Sequence, residues 1–139
     1  MNALLDRPAV RRLRDALAAA GSSARVIELS ATARTAAEAA ASLGVEPGAI
    51  VKSLVFAAQG RAVMALVAGD KRCDTAALGR ALGIAGAVGR ADADLVRRAT
   101  GYSIGGVAPL GHGRSRCRVW APPQLPGSWG SVGRVCIGC

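Results

Sequence analysis

Two apolar runs sit at the centre of the chain, IVKSLVFAA at 50–58 and AVMALVAG at 62–69, with only Gln59, Gly60 and Arg61 between them. So short a glycine-containing link returns the chain antiparallel, and the pair predicts a β-hairpin. Val51, Leu54, Val55 and Phe56 read as a strand built for burial, yet Lys52 stands near its start. A buried ammonium is costly unless it is paired or used. Two readings of Lys52 stand on pattern alone: a solvent-facing or snorkelling strand lysine, or a cation at a pocket wall kept for a phosphate or carbonyl oxygen.

The flanking sequence predicts helices around this hairpin. In PAVRRLRDALAAA, 8–20, Pro8 suits a first turn, and Val10, Leu13, Leu17 and Ala20 make one apolar face that leaves Arg11, Arg12 and Arg14 mostly outside it. Gly21 ends that helix, and SARVIELS, 23–30, reads as a short strand. Thr35 and Glu38 have capping-box spacing before AAASL, and Gly44 is a C-terminal stop. Asp74 is placed to cap TAALGRALG, IAGAVG reads as a short strand, and Asp92 begins DADLVRRATG, which Gly101 ends. The order helix, strand, helix, hairpin, helix, strand, helix predicts a mixed α/β (α+β) domain without the regular alternation of a dinucleotide-binding unit.

At 139 residues, half of them apolar, the chain is sized for one globular domain with one core. The net charge of +9 comes almost wholly from arginine, since Lys52 and Lys71 are the only lysines. It points to an anionic partner, nucleic acid foremost, although a GC-rich genome produces the same arginine bias. Phe56, Tyr102, Trp120 and Trp129 are too few aromatics for a platform that stacks single-stranded bases. Asp6, Arg7 and Pro8 precede any apolar run, so no secretory leader or membrane span is read, and a cytoplasmic location with free thiols is expected.

A second candidate feature is YSIGGVAPLGHG, 102–113, a loop whose Gly105 and Gly106 let the backbone approach a ligand and offer it N–H groups. It matches neither a P-loop nor a dinucleotide fingerprint. His112 is the sole histidine and has no neighbouring nucleophile with which to form a triad. The third feature is CIGC at the end. His112, Cys117, Cys136 and Cys139 could together supply four zinc ligands, but their spacing fits no standard knuckle, and no metal site is assigned.

Taken in order, TAAEAAASLGVEPGAIVKSLVF, ALVAGDKRCDTAALGRALG and DLVRRATGYSIGGVAPLGH resemble the YbaK family of aminoacyl-tRNA deacylases, relatives of the editing domain of prolyl-tRNA synthetase; the likeness covers residues 8 to 112. The resemblance implies a mixed sheet or barrel-like core flanked by helices. It implies hydrolysis of the ester joining a wrong amino acid to the 3′ end of tRNA, with no metal or organic cofactor. The family's critical strand lysine corresponds to Lys52, and its GxxxP loop to Gly105–Pro109. On this likeness Lys52, Gly105, Gly106 and Val107 are the expected catalytic groups, and Ser53, Ile104, Pro109 and His112 the expected substrate contacts. The implied partners are misacylated tRNA and an aminoacyl-tRNA synthetase, with no membrane. A non-catalytic tRNA- or synthetase-binding module of the same fold, and a small zinc-binding protein built on the cysteine-rich end, are the competing readings.

Residues 1–112 therefore read as the core and 113–139 as an atypical tail. The tail holds four arginines and no acidic residue, and VW at 119–120 is its last likeness to the family, whose members continue with further strand and helix and an acidic residue near the pocket. A frameshifted or truncated remainder of the same domain is the expectation for this segment, with SVGRVCI as a further edge-strand candidate.

Overall fold

The computed structural model describes residues 3–30 and 33–112, and the backbone of 117–120. The SVGRVCI strand, the CIGC motif and most of the predicted tail lie outside the described residues. Helix α1 spans Pro8–Ala19 and α2 spans Ala36–Leu43; a short 3₁₀ turn, Pro47–Ala49, then leads into strand β1, Val51–Ala58. Strand β2 follows at Arg61–Ala68, then α3 at Thr75–Ala81, β3 at Val88–Arg90, α4 at Ala93–Thr100 and β4 at Cys117–Trp120.

The hairpin forms as its sequence predicts. Ala58 pairs with Arg61, so Gln59 and Gly60 alone make the turn, both at positive φ, as a type I′ turn requires. Gln59 tolerates that conformation while its side-chain amide donates to Ala85 O at 2.6 Å, pinning the turn to the segment before β3. The sheet order is β3-β1-β2-β4, antiparallel except for the parallel pairing of β4 with β2.

Strand β2 is the centre of the molecule. Its residues Ala62 to Val67 are buried on both faces, and Met64, Ala65 and Leu66 are fully inaccessible. Alternation divides them between two layers. Ala62, Met64 and Leu66 pack with Ala99 of α4, and with Val51, Val55 and Val107. Val63, Ala65 and Val67 pack with Leu78 of α3, and with Leu54, Phe56 and Cys73. A strand apolar on both faces is what the unbroken run AVMALVA encodes.

Three helix starts follow their caps. Thr35 Oγ1 accepts from Glu38 N at 3.1 Å, Asp74 Oδ1 from Ala77 N at 3.0 Å and Asp92 Oδ1 from Leu95 N at 2.7 Å. Glu38 reaches one residue beyond the expected box and accepts from Arg34 N at 2.6 Å.

Two expected strands change. Residues 23–30 form no strand: Ile27 is 59% exposed, and the segment has no partner in the sheet. Its apolar residues satisfy strand composition, but a strand exists only by pairing. In IAGAVG only the end is strand, extended to Arg90, with Gly86 at positive φ before it.

Candidate functional site

The register decides where the strand lysine goes. Lys52 pairs with Val67 and Ser53 with Leu66, so Lys52 shares the α3-side face with Leu54 and Phe56, while Ser53 shares the α4-side face with Val51 and Val55. Lys52 is half-buried, and its Nζ donates to Lys71 O at 2.5 Å. No carboxylate pairs with it; among the described residues the ion pair is Arg11–Asp6, at 3.9 Å on the surface. The result is a cation tethered to a carbonyl with donor capacity left over.

Cys73 lies on the same side, within the electrostatic reach of Lys52. Burial pushes its thiol above the ordinary range and Asp74 adds to this, with Lys52 pulling the other way. A protonated, half-buried thiol is a poor nucleophile.

The glycine-rich loop begins where α4 ends. Gly106 N donates to Ser103 O at 2.9 Å, closing a turn in which Gly105 has φ +83, the conformation that the third position of a type II turn demands. This bond occupies the Gly106 N–H. The N–H groups of Gly105 and Val107 have no hydrogen-bond partner among the described residues. Ile104 stands 60% exposed at the tip, an apolar side chain held in water beside two free donors. Val107 and Pro109 are half-buried, and Val107 packs on the α4 side with Val51 and Val55. The loop thus shares a face with Ser53, whereas Lys52, the second residue of β1, lies on the other face.

Beneath the tip the loop is held by a buried knot. Tyr102 is 2% exposed, and its hydroxyl donates to Leu110 O at 2.8 Å. His112 packs edge-on against the Tyr102 ring, with centroids 6.0 Å apart, and its Nε2 lies 2.9 Å from Ala108 O. A carbonyl only accepts, so Nε2 carries the proton. The Arg12 guanidinium also lies over the Tyr102 ring, 5.5 Å from its centroid, in cation–π geometry. Thr100 Oγ1 accepts from Tyr102 N, and Arg97 Nη2 donates to Ser103 Oγ at 2.9 Å. His112 therefore spends its donor on the loop itself. The sequence flagged His112, and Arg12 as part of a basic helix face that could meet a tRNA backbone, but not that Arg12, Tyr102 and Arg97 hold the loop; the Tyr102 position inside a glycine-rich segment was the one available signal for that.

Burial holds His112 below the ordinary imidazole pKa of 6.5, against the raising effect of its bond to Ala108. A folded value below the unfolded one means the unfolded chain takes up the proton first. Stability is full above about pH 6.5 and declines as pH falls through the folded value. Thermal melts at pH 8 and pH 5 should show this decline, and His112→Gln, which keeps an N–H donor but cannot titrate, should remove the His112 share of it. An equal decline in the variant would show that other groups carry the effect.

No group of three His, Cys, Asp or Glu residues is placed to hold a metal among the described residues. Of the four proposed zinc ligands only His112 has a described side chain. No helix among the described residues is long and apolar enough to cross a membrane.

Residues 30–124 match the family model described as the aminoacyl-tRNA editing domain, a window that takes in β1 and the whole glycine-rich loop. The chain is 38% identical over 101 residues to a proline–tRNA ligase of Nitratidesulfovibrio vulgaris (strain DP4), a match covering 72% of this chain and 17% of the ligase. It thus spans about a sixth of the length of that relative. Among solved structures, one described as a candidate trans-editing enzyme for prolyl-tRNA synthetase superposes with a TM-score of 0.75 at 39% identity, covering 87% of this chain and 76% of the other. A scaffold protein from work on computational epitope grafting gives 0.76 at 36% identity with the same coverage.

Proposed function

From the membership of this chain in the aminoacyl-tRNA editing domain family, we propose that it is a trans-acting hydrolase that removes wrongly attached amino acids from tRNA. One observation carries the reading: within the family window lies a strand lysine whose ammonium is tethered to a carbonyl and has no carboxylate partner among the described residues, as a cation awaiting an anionic ligand would be.

The 3′ end of the tRNA lies across the rim of the sheet at the start of β1. Lys52 takes a phosphate or acyl oxygen on one side and holds the end in register. The ester reaches the loop on the other side, near Ser53 and Ile104. Water adds to the ester carbonyl, and the negative charge that develops on its oxygen is met by the N–H groups of Gly105 and Val107. Such donors are worth about 3 kcal/mol each where they have been measured. Gly106 acts by closing the turn that aims them. The acyl–oxygen bond then breaks, releasing the amino acid and returning a proton to the ribose oxygen. An aminoacyl ester is activated enough to need no protein nucleophile, which agrees with the protonated state of Cys73. Pro109 and His112 shape and hold the loop rather than touching the reacting atoms.

The test is a deacylation assay of the purified chain against a panel of mischarged tRNAs. Release of amino acid from at least one misacylated tRNA, with correctly charged counterparts spared, is the expected result. Binding of tRNA without release from any member of the panel would favour a non-catalytic binding module instead.

A further inference from the structure

We propose that Arg12 and Arg97 form a paired phosphate-binding site at the mouth of the glycine-rich loop, one that takes the sugar–phosphate backbone of a structured RNA. The proposal rests on the editing reading above and adds to it the surface that receives the body of the substrate, part of it outside the family window, in α1.

The two guanidiniums come from opposite ends of the described chain and between them touch three consecutive residues, Gly101, Tyr102 and Ser103. Arg12 projects from α1 over Tyr102 and lies against Gly101, where a Cβ would land on its guanidinium. Arg97, in the last turn of α4, donates to Ser103. Both are exposed. Neither is salt-bridged among the described residues: Asp15 lies three residues after Arg12 and Asp94 three before Arg97, and neither carboxylate bonds its neighbour. The chain has many other exposed arginines, but these two are the ones fixed by contact with the loop. A guanidinium carries five donors, so one contact to the loop leaves most of them directed outward. Because the loop already orders the side chains, binding a phosphate costs less rotamer entropy than at a free surface arginine.

The chemistry selects a backbone rather than bases. Tyr102, the aromatic at this site, is buried beneath Arg12 and offers no face for a base to stack on. Two fork-shaped cations beside a small loop fit phosphodiester oxygens. Ser103 is two residues before Gly105, so phosphates held here would deliver the acylated end to the free N–H groups.

An uncharged RNA hairpin with a tRNA acceptor end separates this from the hydrolytic reading, because its binding needs no ester. Binding is titrated over a salt series for the parent, Arg12→Gln, Arg97→Gln, the double variant and a control, Arg80→Gln, on α3 across the sheet. The slope of log K against log salt should shrink by about 1 for each substitution and about 2 for the double. At 0.1 M salt each loss should weaken binding roughly eightfold, and the control should match the parent. Because both side chains also touch the loop, hydrolysis of a stemless aminoacyl-adenosine ester should fall less in the double variant than binding of the hairpin does. An unchanged slope in the double variant overturns the proposal, as does an equal change in the control. A loss of stemless ester hydrolysis as large as the loss of hairpin binding also overturns it, showing that the arginines act only through the loop. The same slope changes with polyglutamate would assign the pair to acidic protein instead of RNA. If RNA binds as expected but no ester is cleaved, the editing reading alone fails.

Discussion

Lys52→Ala should lower kcat/KM for deacylation about a hundredfold, equivalent to about 2.7 kcal/mol of transition-state stabilisation, while the protein stays folded. The lysine makes one hydrogen bond, to the carbonyl of exposed Lys71, and water can replace that partner, so the loss in stability should be about 1 kcal/mol or less. What water cannot replace is a positive charge held in place near the start of β1. Lys52→Arg keeps the charge but substitutes a planar fork for a compact ammonium, and should recover only part of the rate. Single-turnover kinetics on one mischarged tRNA, with a melting curve for each variant, distinguish a lost cation from a lost fold. A rate unchanged in Lys52→Ala would remove Lys52 from the mechanism and leave the loop to act alone. Ser53→Ala is the informative companion, since Ser53 shares the loop's face and Lys52 does not.

Gly111→Ala should destabilise the protein by about 3 kcal/mol, summing the strain of a left-handed alanine and an overpacked contact. Gly111 has φ +81, and an added Cβ would lie 2.5 Å from the Tyr102 hydroxyl and 3.3 Å from Ala16 Cβ. The hydroxyl has little room to yield, being buried and bonded to Leu110 O. For a chain of this size the midpoint should drop by about 10 °C. Tyr102→Phe removes the atom in the way at the cost of one hydrogen bond. In a double-mutant cycle the combined variant should therefore be more stable than the two separate losses predict, with a coupling of about 1 kcal/mol or more. Strict additivity would show that the clash is relieved elsewhere.

What the sequence disclosed is what short-range chemistry controls. The hairpin, the Thr35, Asp74 and Asp92 caps and the Gly44 and Gly101 stops depend on residues within a few positions of one another, and all are present. The family resemblance, carried by KSLVF together with TGYSIGGVAPLGH, holds as well. Segment 23–30 misled because strand composition does not reveal whether a partner strand exists. The Lys52 register was hidden for a related reason: in β1 nearly every position is apolar, so alternation could not say which face the lysine takes. The knot beneath the loop could not be read at all, because Arg12, Tyr102 and His112 meet only through the tertiary fold.

That knot has a consequence for the order in which the molecule is assembled. The β1–β2 pairing closes through two turn residues and costs little chain entropy, whereas seating Arg12 and Ala16 against Tyr102 and Gly111 joins the two ends of the described chain and carries the largest loop-closure cost. A chain emerging from the ribosome can pair its hairpin early but must wait for residues beyond 110 before α1 has anything to grip. The lysine-bearing strand is thus ready first, and the glycine-rich loop is fixed only once almost the whole domain has been made.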